Sequence, residues 1–208
     1  MFEGIIDIYQ ADKVDLVKAK AEGVVAVIHK ATEGATVQDP KYKTRRAEAK
    51  TLGLLWGAYH FATNAAVAQQ LDNFQTTAAL TAGDFAALDY EKNISKSKKD
   101  ITMSLAQAED FVEQFTARFG FAPFIYGSDL LANAAKQHPA SPLKNCKLWI
   151  ANYNDIPTPP LPSLWTKFTL WQFTDGTHPA PHTIGGVACD ASRFDGTADQ
   201  LRAAWPLR

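Results

Sequence analysis

The sequence predicts an α/β protein: an irregular TIM-like barrel, (β/α)5(β)3, with eight mainly parallel strands, the last three lacking full helices. Three observations predict it. Apolar, β-rich runs alternate with amphipathic helical stretches from the N-terminus, which is the rhythm of a parallel sheet covered on both faces. Strand-like runs continue to a total that suits closure into a barrel. In the final third, loops rich in Pro and Gly replace the intervening helices. An open doubly wound sheet is the competing architecture.

The elements follow in order. GIIDIY (4–9) reads as a strand and VDLVKAKAEG (14–23) as a short helix ending on Gly23. VVAVIHK (24–30) is the next strand. PKYKTRRAEAKTLG (40–53) is a helix with Pro40 in its first turn and Gly53 at its end. LLWGAYHF (54–61) is a strand and AVAQQLDNFQTTAAL (66–80) a helix. FAALDYE (85–91) is the fourth strand. SLAQAEDFVEQFTARFG (104–120) opens with a Ser104/Gln107 capping box and closes on Gly120. PFIYGS (123–128) is a strand and DLLANAAKQ (129–137) a helix. LWIANYN (148–154), FTLWQFTDG (168–176) and GVACDASRF (186–194) complete the strands, and ADQLRAAW (198–205) is a last helix. No linker or repeat interrupts the pattern, so one catalytic barrel domain over residues 1–208 is expected.

Composition narrows the function. An apolar share of 46%, a charged share of 21% and a net charge of −1 are those of a globular protein with no basic field. Nucleic acid is therefore not an expected partner. No apolar run reaches the roughly 18 to 20 residues of a membrane span. MFEGIIDIYQ carries an acid and no basic region, so it is not read as a secretory signal. Cys146 and Cys189 are too far apart in sequence for a CxxC pair and read as buried free thiols, with a single disulfide as the alternative.

In a parallel barrel all strand C-termini face one rim, where active sites are built. Asp7, Asp89, Glu91 and Asp190 fall on that rim by this pattern. Side chains two apart on a strand share a face, so Asp89 and Glu91 point together and Tyr90 points away. Neighbouring carboxylates raise each other's pKa, and a proton donor beside a charged partner is what glycosidic cleavage requires. Tyr59, Phe61, Tyr126, Trp149, Tyr153 and Trp171 supply aromatic faces at strand ends, and Gln172 and Asn152 supply polar groups. Rival chemistries are poorer: no GxSxG elbow accompanies His60, and His178 and His182 lie in a proline-bearing loop. No metal and no cofactor is expected, and no GxGxxG or GxxxxGK[ST] follows a strand.

With these motifs in hand, the chain resembles the family-25 glycoside hydrolases, the Chalaropsis-type lysozymes. The matching segments are GIIDIY, VIHKATEGATVQDPKY, AKTLGLLWGAYHFA, LDYE, IYGS, LWIANY, LWQFTDG and CDASRFDGT, in that order. The resemblance implies a barrel with five helices and three helix-free strands. It also implies hydrolysis of the β-1,4 bond between N-acetylmuramic acid and N-acetylglucosamine in peptidoglycan. Glu91 takes the role of general acid; Asp89 is the second carboxylate, as direct nucleophile or as orienter of the substrate's 2-acetamido group. Asp7 and Asp190 match the other active-site acids. Where many members have D-x-S on the first strand, this chain has Tyr9, which leaves the hydrogen bonding of Asp7 open.

Peptidoglycan glycan strands are the expected partner, and the protein is expected to be a monomer. It is expected to lack a wall-binding module and to be made in the cytoplasm. Lysis, a holin or dedicated export would then release it to the wall, as for an endolysin or an exported toxin. A non-catalytic glycan-binding barrel and a hydrolase of another polysaccharide stay open as alternatives.

Overall fold

The computed structural model describes residues 1–208. Its elements are, in order, β1 (Phe2–Ile8), α1 (Leu16–Ala21), β2 (Ala26–Glu33), β3 (Val37–Gln38) and α2 (Tyr42–Thr51). Then come β4 (Leu55–Phe61), α3 (Val67–Ala78), β5 (Phe85–Asp89), α4 (Leu105–Phe119), β6 (Phe124–Gly127) and α5 (Asp129–Gln137). The last are β7 (Leu148–Ala151), β8 (Leu170–Thr174), β9 (Thr183–Ile184), β10 (Val187–Ala188), β11 (Asp190–Phe194) and α6 (Ala198–Ala204). The sheet runs β1-β11-β8-β7-β6-β5-β4-β2, and β1 pairs with β2 to close it. The expected α/β barrel is the observed one. No helix is long and apolar enough to cross a membrane.

Strand alternation builds two apolar layers. Ile5, Ala26, Ile28, Phe85, Ala87, Tyr126, Trp149 and Leu170 fill the interior. Ile6, Val27, Leu88, Ile125, Leu148 and Ile150 point outward against helical residues such as Leu71, Phe74, Phe111 and Phe115. Trp205, just after α6, stacks on Phe85 at 5.4 Å and stoppers the end of the barrel opposite the strand-end acids. The interior is therefore packed and is not a pore.

Local signals account for the helices. The Ser104/Gln107 capping box is present at α4, and Gly120 ends it in the left-handed region at φ 78°. Pro40 falls just outside α2, whose N-cap is Lys41. The eighth barrel strand, β11, runs antiparallel to both β1 and β8 and is the exception in a mainly parallel barrel. One expectation needs correction: the predicted strand 186–194 divides, because β10 pairs with β9 in a separate hairpin. Cys146 and Cys189 are both buried free thiols.

Gly57 shows how tightly the interior is filled. A Cβ there would lie 2.9 Å from the Phe85 ring and 3.2 Å from the Ile28 side chain. Gly57→Ala is expected to destabilise the barrel by about 1–3 kcal/mol. A shift of the urea midpoint measures this, and an unchanged midpoint would contradict the packing argument.

Candidate active site

β1 turns Asp7 inward between the outward Ile6 and Ile8. β11 begins opposite it, with Asp190 in register with Asp7. Asp190 therefore arrives from the start of an antiparallel strand, and the reversed direction brings it to the same rim. β5 ends on Asp89, and the chain stays extended beyond it because the Tyr90 amide donates to the Tyr126 carbonyl at 2.9 Å. Tyr90 is buried in the outer layer, and Glu91 shares the inward face with Asp89.

These four acids line one pocket of about 340 Å³ with Tyr9, Lys30, Tyr59, Phe61, Tyr126, Trp149 and Gln172. Tyr153 stands at its edge and lines an adjoining groove with Asn152, Asp175 and His178; Glu91 is common to both. Trp171 is a correction. It is fully buried in the outer layer, with its indole N–H donating to the Asn152 carbonyl at 2.8 Å. Neighbours on a strand face opposite ways, so Gln172 and Trp171 cannot both reach the pocket.

Gln172 organises the floor. Its Oε1 accepts the hydroxyls of Tyr126 and Tyr153, each at 2.6 Å, and its Nε2 donates to Asp7 Oδ1. The partner of Asp7 is thus supplied by β8, and the Tyr9 found in place of the serine is a pocket-lining residue. Asp7 Oδ2 and Asp89 Oδ1 are buried with no hydrogen-bond partner. Unpaired buried oxygens of this kind are costly unless a ligand satisfies them.

Burial raises all four carboxyl groups above their ordinary range. The charge of Asp190 adds to burial at Asp7, and the Gln172 bond opposes it. At Asp89 the charge of Glu91 adds to burial, and Lys30 opposes it. Burial alone raises Glu91. Asp190 is pushed up to about 7, by burial first and then by the charges of Asp12 and Asp175. Four carboxyl groups withdrawn from solvent into one pocket do not all ionise together, so the site retains protons near neutrality.

Lys30 and Tyr9 are the lining residues that the sequence reading missed. Strand parity could have found both: Lys30 follows the inward Ala26 and Ile28 by twos, and Tyr9 follows Ile5 and Asp7. The Lys30 ammonium lies 5.2 Å from the Tyr9 ring centroid, 5.5 Å from that of Phe61, and 3.0 Å from Glu33. The histidines stand apart from the acids or at the margin. His60 is buried between Thr32 and Gln70. His29 stacks on Trp56 and bonds to Arg45. His178 pairs with Asp175, and His182 packs against Phe173.

A closed barrel with an acid-lined, aromatic-walled pocket at one rim has the build of a glycoside hydrolase. The comparisons make the class specific. The chain belongs to glycosyl hydrolases family 25, whose sequence profile matches residues 6–180. It is 30% identical over 172 residues to an autolytic lysozyme of Clostridium acetobutylicum, covering 82% of this chain and 50% of that one. It is 27% identical over 195 residues to lysozyme M1 of Streptomyces globisporus, covering 88% and 64%. The chain thus spans half to under two thirds of the length of these curated relatives. Among solved structures, a muramidase from Acremonium alcalophilum superposes with a TM-score of 0.78 at 28% identity, covering 98% of both chains.

The raised acids have a consequence for stability. A carboxyl with a raised folded pKa favours the folded state while protonated. For Asp190 that contribution is full below the unfolded value of about 4 and is lost as pH rises through about 7. Asp190→Asn is therefore expected to be more stable than wild type at about pH 8, by about 1–2 kcal/mol after allowance for solvent screening. Near pH 4 the two should match. Urea denaturation at both pH values checks this, and equal shifts at both would refute the assignment.

Proposed function

We propose that residues 1–208 act as one catalytic barrel, a lysozyme of the N-acetylmuramidase kind. It would cleave the β-1,4 bond between N-acetylmuramic acid and N-acetylglucosamine in peptidoglycan. The observation that carries this is the pairing of Glu91, raised by burial, with the unpartnered oxygen of Asp89 in one aromatic pocket. Family membership and the names of the relatives, lysozymes and a muramidase, support the choice of polymer.

In the proposed reaction Glu91 is the general acid and gives its proton to the glycosidic oxygen as the C1–O bond breaks. The carbonyl oxygen of the substrate's own 2-acetamido group attacks C1 from the opposite face. Asp89 accepts the acetamido N–H and stabilises the positive charge that develops there. Water then adds to C1, Glu91 takes back a proton, and the acetamido group is restored. Two inversions give net retention. Lys30 favours the anionic form of Asp89, and Asp7 and Asp190 frame the sugar with polar oxygens. Tyr59 and Phe61, which are partly exposed, offer faces for the apolar side of the rings, Tyr153 extends them at the edge, and the buried Tyr126 and Trp149 form the floor beneath.

Every lining residue comes from one chain, so a monomer suffices. The proposed place of action is the bacterial wall, reached by lysis or export; the autolytic relative supports this.

Glu91→Gln is expected to lower the release of reducing ends from purified peptidoglycan by at least about 10², with muropeptide binding retained. Equal rates for the two proteins would remove Glu91 from the role of acid. Mass spectra of wild-type products should show N-acetylmuramic acid at the new reducing end; N-acetylglucosamine there would mean that the other β-1,4 bond of the polymer is cut and would overturn the muramidase assignment.

A further inference from the structure

The segment KNISKSKKD (92–100) directly follows Glu91 and carries Lys92, Lys96, Lys98 and Lys99 against a single acid, Asp100. That is a charge of +3 over nine residues in a chain whose total is −1. All four lysines are exposed. None takes part in an ion pair.

The segment is built, with bonds of its own. The Ser95 amide donates to the Lys99 carbonyl and the Lys98 amide to the Ser95 carbonyl, both at 2.8 Å. Ser95 Oγ accepts the Lys99 amide at 3.0 Å, and Lys98 makes the turn at φ 61°. At the base Asn93 is buried; its amide group donates to the Ala62 carbonyl at 3.2 Å and to Glu33 Oε1 at 3.4 Å. Glu33 pairs with Lys30 of the pocket wall. The basic hairpin is therefore fastened to the same wall that frames the acids.

We propose that this hairpin docks the carboxylates of the peptide stems carried by the glycan strand being cut. The inference rests on the muramidase reading and names the part of the substrate recognised outside the pocket. Asn93 ties the hairpin to Glu33, whose partner Lys30 lines the pocket, so the hairpin stands beside one edge of the site, where the peptide substituents of a bound strand can reach it. The unpaired lysines give this edge of the site a local positive field in a chain whose total charge is −1, and such a field favours an anionic polymer. Lysines, with flexible stems and compact charges, suit mobile peptide carboxylates better than a rigid fork would.

The test compares wild type with a triple variant, Lys96→Gln, Lys98→Asn and Lys99→Gln, asparagine being tolerant of the left-handed turn. Substrates are glycan strands free of teichoic acid, either bearing their stems or stripped of them by an amidase. On stem-bearing strands KM should rise about three- to tenfold with kcat held, and the salt dependence of kcat/KM should flatten. On stripped strands, which keep only the lactyl carboxylate held close to each muramic acid ring, the two proteins should behave nearly alike. An unchanged KM on stem-bearing strands, or the same loss on both substrates, overturns the proposal. A loss seen only when teichoic acid is left on the wall also overturns it, because the occupant is then a phosphodiester polymer. If wild type cleaves neither substrate, the muramidase reading is what fails. Cosedimentation of Glu91→Gln, with and without the three lysine changes, against stem-bearing strands then decides the docking: weaker binding of the lysine variant supports it, and equal binding overturns it.

Discussion

β1 is hydrogen-bonded along both edges, in parallel register with β2 and in antiparallel register with β11. Barrel closure rests on these two pairings, and so does the site. The first turns Asp7 inward beside the strand that carries Lys30. The second sets Asp190 opposite Asp7 although the chain now runs the other way. An antiparallel last strand needs no helical crossover, since a short connection suffices. The reversal of β11 accounts for the missing helix between β8 and β11, whereas β7 and β8 are parallel and joined by an irregular loop. The rim keeps its acids because it is defined by position around the barrel, whatever the direction of each strand.

A second constraint is electrostatic. Carboxyl groups set close together in a dry pocket oppose folding unless protons, a cation or hydrogen bonds relieve them. Each relief is present. Gln172 bonds to Asp7 and is itself held by two tyrosine hydroxyls. Lys30 opposes the rise at Asp89, while Glu91 has only burial acting on it. Both acids are pushed toward their protonated forms, Asp89 by burial and by the charge of Glu91 with Lys30 only partly opposing, and Glu91 by burial. The apolar layers outside and below supply the stability that tolerates this arrangement.

Much of the fold was legible in the sequence because its signals are local. Alternating apolar runs gave the strands, and Ser104, Gln107 and Gly120 marked α4 from end to end. The four acids were legible because two of them sit two residues apart at a strand end, and the pattern of strands located the others. What was not legible is non-local. No local residue preference distinguishes β11 as antiparallel, since direction is set by where the chain returns. Side-chain facing was readable but needed stricter use: the same period of two that admits Gln172, Lys30 and Tyr9 excludes Trp171. The link from Tyr126 and Tyr153 through Gln172 to Asp7 joins three strands and a loop, and only the folded chain brings them together.

Trp149 lies at the floor of the pocket, with its indole N–H donating to Ser192 at 2.9 Å and its ring 4.6 Å from that of Tyr126. Of the five tryptophans it alone lines the site. It shares the pocket with four ionisable carboxyl groups, so its excited state senses both proton occupancy and whatever enters above it. The molecule therefore carries its own optical gauge: a sugar settling on that floor, or a proton leaving the acids beside it, registers as a change in indole emission without any added label.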